Sequence, residues 1–442
     1  MLPRPFKGHE PYLVSEGLMH MLSKRSSRVV VALLATTSFV LASLASTATA
    51  ATSGRERSTA TTLRIWTDKD RRADIEKIAN TWAATRGVTV QVVEKNFGDI
   101  RDQLKTVQAE SAPDVIIGAH DWTGQLAADG SVVPLTPKKS VLKLFPKYAL
   151  DAFSYGTGTK RLYGAPVALE NVALIVNTRL VHAPKNWADL EKQALAHKNK
   201  AAGNIAIAVP QAPAGDTYHM NPFFAGLCGY MFGKAKNGTL NPRNIGVANK
   251  TFIKNSTLID KWSSEGLINS KVDYGTAKNA FLKGEAAFWV TGPWEADTLK
   301  TSGLSVKIMQ LPKIRCRSVP FLGVQGFMVT RFAATHGVSS LAKDLVGSYI
   351  MSTSSQRALA AANGRFPANT AAGKQVRDSI LAQFGKAGIG GVPMPNIPQM
   401  SSVWDETNAA WLKATKGAGS TKAAIAFKTA ARNIATKIAS GG

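Results

Sequence analysis

Short runs of β-branched and aliphatic residues alternate with amphipathic helical segments along most of this chain, and that alternation selects an α/β architecture. Leu63-Arg64-Ile65-Trp66 reads as an opening strand. Ile75, Ile78, Ala79 and Trp82 then recur at helical spacing, Gly87 ends the helix, and Val88, Val90 and Val92 alternate as a strand does. Val115-Ile116-Ile117 forms a further apolar run, and residues 172–176, 205–209 and 286–290 read as later strands, with a helical segment at 278–283 beside the last. With 442 residues, 45% of them hydrophobic, the chain can bury cores in two or more lobes, which excludes disorder and collagen-like fibre.

The N-terminus has a different pattern. Lys24, Arg25 and Arg28 precede the apolar run 29–44, and Ala48-Thr49-Ala50 follows as a small-residue cleavage site, so residues 1–50 read as an N-terminal extension plus export signal. Met21 offers an alternative start, and the mature chain is expected to begin near Ala51. Leu44-Ala45-Ser46 resembles the approach to a bacterial lipidation site, but Thr47 stands where a Cys thiol would carry the lipid. The expected location is therefore the periplasm or the outer face of the cell membrane, without a lipid anchor.

Basic residues outnumber acidic ones 54 to 29, a net charge of +25 that falls only to +22 when residues 1–50 are removed. The excess is spread along the chain and forms no arm of consecutive like charges, so no nucleic-acid partner is expected. An adhesin for anionic cell-wall polymer stays as a competing reading of the charge. Cys228 and Cys316 are either bridged or buried as free thiols, and their spacing decides neither.

Motifs for covalent chemistry are missing. The seven His are scattered, with no His-x-x-x-His, Cys-x-x-Cys or Gly-x-Ser-x-Gly, so no metal site, cofactor or catalytic residue is expected. Residues 229–234 imitate a phosphate loop only loosely, because Ala235 replaces the hydroxyl residue that would hold magnesium. A secreted glycosidase needs only two carboxylates facing a sugar, so that class survives as an alternative.

What remains is a series of aromatic residues with carboxylates beside them: Trp66 and Asp68, Asp121 and Trp122, Asp216 and Tyr218, Asp273 and Tyr274, Trp294 and Glu295, Trp404 and Asp405. Sugars present apolar C–H faces and a rim of hydroxyls, which stacked rings and carboxylate acceptors complement.

The strings around these pairs carry a family resemblance. Ala119-His120-Asp121-Trp122-Thr123-Gly124, Pro166-Val167-Ala168-Leu169-Glu170-Asn171, residues 279–285 (NAFLKGE), Thr291-Gly292-Pro293-Trp294 and residues 394–400 (MPNIPQM) occur in an order that resembles the maltose/maltodextrin-binding proteins of bacterial ABC importers, within extracellular solute-binding protein family 1. The similarity runs from about Leu63 to Ile438.

That resemblance implies an α/β two-lobe clamshell, with residues 62–168 and 307–368 in one lobe, 169–306 and 369–442 in the other, and crossings near Glu170, Val306 and Pro367. It implies a monomer that holds a maltodextrin-type oligosaccharide between the lobes and delivers it to a membrane permease with its ATPase pair. Ligand-binding positions implied by matching are Asp68, Lys69, Asp121, Trp122, Glu170, Asp216, Tyr218, Tyr274, Trp294 and Trp404. Three departures bear on specificity. Gly118 takes the place of a stacking Trp while Trp122 replaces an Arg, so a ring could reach the same subsite from a new position; Asn408 replaces a sugar-contacting Arg; and Arg101 sits near an acidic family position. Asp216 stands where the family uses Glu. Trehalose, cyclodextrin or a similar oligosaccharide is the alternative ligand. Residues 421–438, with isoleucines among lysines, read as a docked terminal helix, or alternatively as a membrane-surface helix.

Overall fold

A computed structural model describes residues 61–156, 158–236 and 238–441. The expected export signal and the expected start of the mature chain lie outside the described residues.

Two sheets organise the molecule. The first runs in the order Phe366–Pro367, Gly164–Glu170, Phe321–Val329, Val115–Ala119, Thr62–Thr67, Thr89–Glu94, and Val392–Pro393 pairs with the start of Phe321–Val329. Its opening strand is parallel to both of its neighbours, whereas Phe321–Val329 is antiparallel to Val115–Ala119 and Gly164–Glu170 and parallel to Val392–Pro393. The second sheet runs Val306–Met309, Ala173–Asn177, Phe288–Thr291, Ile207–Ala208. Val115–Ala119 and Ala173–Asn177 are buried at every residue, as expected for strands covered on both faces by helices. The helix Lys69–Ala84 buries Ile75, Ile78, Ala79 and Trp82 against the first sheet, so the periodicity read from sequence is its packing face. The expected strands at 172–176, 205–209 and 286–290 all form, displaced by no more than two residues at their starts.

The chain passes from the first sheet to the second between Glu170 and Ala173, and returns between Met309 and Phe321. Val306–Met309 belongs to the second sheet because it pairs antiparallel with Ala173–Asn177. Cys228 and Cys316 are bridged, with Cα atoms 5.3 Å apart. The Arg315 and Cys316 amides both donate to the Gly226 carbonyl, so the return segment is fixed to the end of the helix Thr217–Gly226.

The terminal helix Ala423–Ala439 docks on the helix Ser401–Ala414, with Phe427 meeting Trp411 edge to face at 5.1 Å. Ile434 is fully buried there, so it is not part of any membrane-facing stripe. Among the described residues, no helix is long and apolar enough to cross a membrane.

Candidate functional site

The expected site residues come from two structural neighbourhoods. Asp68, Asp121, Trp122 and Glu170 stand at or just beyond strand ends of the first sheet. Asp216 and Tyr218 open the helix Thr217–Gly226, Tyr274 opens the helix Tyr274–Leu282, Trp294 follows the strand Phe288–Thr291, and Trp404 lies in Ser401–Ala414.

Local chemistry fixes these openings. Asp216 accepts the His219 amide at 2.9 Å and Asp273 accepts the Thr276 amide at 2.6 Å, each capping a helix whose first residues carry the ring. After the last strand of this group, Gly292 has no Cβ because the Trp294 ring folds back to within 2.1 Å of where one would sit.

Rings and carboxylates converge. Tyr218 lies 6.3 Å from Trp294 and 6.3 Å from Phe321, and Phe321 meets Trp404 at 5.9 Å. Trp404 donates its indole N–H to Asp121 at 3.1 Å. Trp294 donates to the Tyr274 hydroxyl at 2.6 Å, which in turn donates to Glu295 at 2.6 Å, and Lys278 pairs with Glu295 at 2.8 Å. Trp294 and Trp404 remain partly exposed, whereas Trp66, Trp82, Trp262, Trp289 and Trp411 are core.

Asp68 and Glu170 are joined through a buried network. Asp68 pairs with Arg71, Arg71 donates to Gln325 at 3.2 Å, Gln325 donates to Glu170 at 2.7 Å, and Arg365 donates to the other Glu170 oxygen at 3.1 Å. Each buried carboxylate therefore has a guanidinium partner, which offsets the cost of removing it from water. Lys69, by contrast, is exposed at the start of its helix and stands outside this network.

Burial shifts several of these groups. It pushes the Asp121 carboxyl up to about 6, against the opposing pull of Arg101 and the Trp404 N–H. Tyr218 is raised well above the ordinary phenol value, first by burial and then by the nearby Glu170, Asp216 and Asp121 charges. His120, beside Asp121, is buried and lowered to about 4. Its Nδ1 accepts the Val324 amide at 3.1 Å, so Nε2 carries the proton and donates to the Met394 carbonyl at 3.0 Å.

The departures from the family pattern have structural causes. Trp122 lies directly over Gly118, where a Cβ would sit 2.4 Å from the ring, and it packs on Phe97 at 5.0 Å, which the Arg71 guanidinium covers from 4.9 Å. The ring thus fills the space that a side chain at 118 would take, and it is 6% exposed. Asn408 accepts the Thr217 amide at 2.8 Å and so serves the same helix start as Asp216. Phe321, His219, Arg71, Gln325 and Arg365 complete the surroundings and were not singled out by sequence; Gln325 has partners up to 254 residues away, whereas His219 and Arg71 each stand three residues after the Asp they pair with, a spacing that could have marked them.

Comparison with known proteins agrees with this architecture. Residues 77–381 match the family model described as bacterial extracellular solute-binding protein. The chain is 26% identical over 403 residues to the galactooligosaccharide-binding protein of Bacillus subtilis (strain 168), covering 87% of this chain and 92% of that protein. It is 28% identical over 370 residues to the maltodextrin-binding protein MdxE of the same organism, covering 79% and 84%. It is 26% identical over 328 residues to the maltotriose-binding protein of Pyrococcus abyssi (strain GE5 / Orsay), covering 71% and 68%. The two-sheet α/β fold and a family match over most of the chain place this protein among the bacterial extracellular solute-binding proteins.

Proposed function

We propose that this protein is the exported binding component of an ABC sugar importer, taking a maltodextrin-type oligosaccharide between its two lobes and delivering it to a membrane permease. The observation that carries the reading is the convergence of Tyr218, Phe321, Trp294 and Trp404 with Asp121, Glu170 and Asp216. Rings stack on sugar C–H faces, and carboxylates accept from hydroxyls. In this reading one lobe comprises about 62–168 with 307–368 and the other about 169–306 with 369–442, and the pairing of Val306–Met309 with Ala173–Asn177 supports moving the second crossing past Met309. The closed form alone touches both faces of the sugar, so ligand favours closure.

Each stacked ring contributes about 0.5–1.5 kcal/mol and each charge-assisted hydrogen bond about 1.5–3 kcal/mol, before association costs. A micromolar dissociation constant, about −8 kcal/mol, is the expected outcome. No bond of the sugar is broken. The protein acts as a monomer outside the membrane.

A galactooligosaccharide is the second reading. It is favoured by the 403-residue match to a protein named for that ligand and by Gly118 and Trp122, which reshape one subsite. Intrinsic Trp fluorescence titrated with maltose, maltotriose, trehalose, cyclodextrin, a β-1,4-galactotriose and cellotriose ranks these ligands. Saturation by maltotriose at micromolar concentration, insensitive to salt, is expected. Saturation only by the galactose trimer transfers the assignment to the second reading. Silence toward every sugar, or release of reducing ends, overturns the proposal.

A further inference from the structure

The hydrogen-bond partners around Trp294 leave two polar atoms unspent. Asp216 gives one oxygen to the His219 amide at 2.9 Å and the other to His219 Nδ1 at 2.7 Å. Trp294 spends its N–H on Tyr274, and Tyr274 spends its proton on Glu295. His219 Nε2 and the Tyr218 hydroxyl, both buried, have no partner. His219 is 6% exposed, and its ring stands edge to face with Tyr218 at 5.9 Å, Tyr274 at 6.1 Å and Trp294 at 5.7 Å.

A carboxylate only accepts, so the Nδ1 that faces Asp216 carries the proton, and in the neutral ring Nε2 is left with a lone pair. A buried acceptor without a donor is unfavourable, and a ligand hydroxyl would relieve it. We propose that His219, held by Asp216 in the Nδ1–H form, is a specificity-determining residue whose Nε2 accepts a hydroxyl proton from the bound oligosaccharide. Asp216 then also acts through His219 as a positioning residue. The neighbouring Tyr218 hydroxyl supplies the complementary donor. Such a pair of atoms reads a hydroxyl that both gives and receives a hydrogen bond, and a sugar lacking that hydroxyl leaves Nε2 buried and unmet. This inference rests on the oligosaccharide-binding reading above.

The test is calorimetry with maltotriose and β-1,4-galactotriose on the full mature chain, as wild type, His219→Phe, His219→Gln and Asp216→Asn. His219→Phe keeps a ring among its three aromatic neighbours, so a packing role predicts unchanged affinity. The expected result is a loss of tenfold or more in His219→Phe, partial recovery in His219→Gln, whose amide oxygen can accept, and a loss in Asp216→Asn, with melting temperatures close to wild type. Imidazole ¹⁵N spectra of the wild type give a reading that needs no variant: the Nε2 resonance is expected to move when the sugar is added. Affinity within twofold of wild type in His219→Phe, or an Nε2 resonance unmoved by a sugar that binds, overturns the inference and leaves the binding reading intact. Wild-type protein that gives no heat with either sugar overturns both.

Discussion

The indole N–H of Trp404 reaches the carboxylate of Asp121 at 3.1 Å, joining a helix that packs on Thr217–Gly226 to the end of a central strand of the other sheet. A ring and an acceptor separated by 283 residues thus share one edge of the proposed site.

Truncating the two partly exposed rings tests the stacking roles. Trp294→Ala and Trp404→Ala are expected to bind maltotriose at least tenfold more weakly, a loss of about 1.4 kcal/mol or more, while unfolding cooperatively. Wild-type affinity in both variants by calorimetry rejects stacking at these positions.

Acid titration separates two adjacent residues. His120 sits at about 4 in the folded chain against an ordinary 6.5, so between those values the unfolded state binds more protons and stability is lost as pH falls. Asp121 sits at about 6 against an ordinary 3.8, so between those values the native state binds more protons and stability is gained as pH falls. The two contributions oppose each other from about 6 down to about 4. Asp121→Asn removes the compensating gain. Denaturant titrations are expected to show the variant losing up to about 3 kcal/mol relative to wild type as pH drops through that window. A stability difference between the two proteins that is constant with pH contradicts the assignment.

Removal of the bridge is a third case. Cys228 and Cys316 enclose a loop of 88 residues and fasten the return segment to the helix Thr217–Gly226. The double change to Ser is expected to lower stability by about 2–5 kcal/mol. Thermal melts of the oxidised, reduced and double-Ser proteins check it; the reduced wild type should melt with the double variant, and a melting point equal to the oxidised form in either would refute the contribution.

The Gly118 and Trp122 contact can be measured as a coupling. Gly118→Ala puts a Cβ 2.4 Å from the Trp122 ring and is expected to cost about 1–3 kcal/mol. Most of that cost should vanish in a Trp122→Ala background, where the ring is gone, although Trp122→Ala alone opens a cavity worth about 3–5 kcal/mol. A double-mutant cycle with no coupling would show that the ring moves aside freely.

Local signals made much of this molecule legible. The helix Lys69–Ala84 and strands such as Val115–Ala119 and Ala173–Asn177 follow from apolar periodicity, because each element must bury one face or both, whereas the strands Gly164–Glu170 and Phe321–Val329 were not expected from sequence. The paired Asp216 and Tyr218, and Asp273 and Tyr274, were visible as neighbours, and the structure explains the pairing as a capping Asp followed by a ring on the first turn. What sequence did not show is which polar groups neutralise one another. Gln325 and Arg365 meet Arg71 and Glu170 only once the first sheet brings them together, whereas the Arg71–Asp68 pair is local, three residues apart. The state of the two cysteines was equally undecidable until residues 228 and 316 were placed. In the sequence Trp122 is a ring able to reach the subsite vacated at Gly118; its packing over Gly118 and its 6% exposure come only with the fold.

The overlap of Trp122 with the missing side chain of Gly118 makes the two positions one volume shared by two residues. Bulk restored at 118 must displace the indole, so any redesign of this corner has to treat 118 and 122 as a single site.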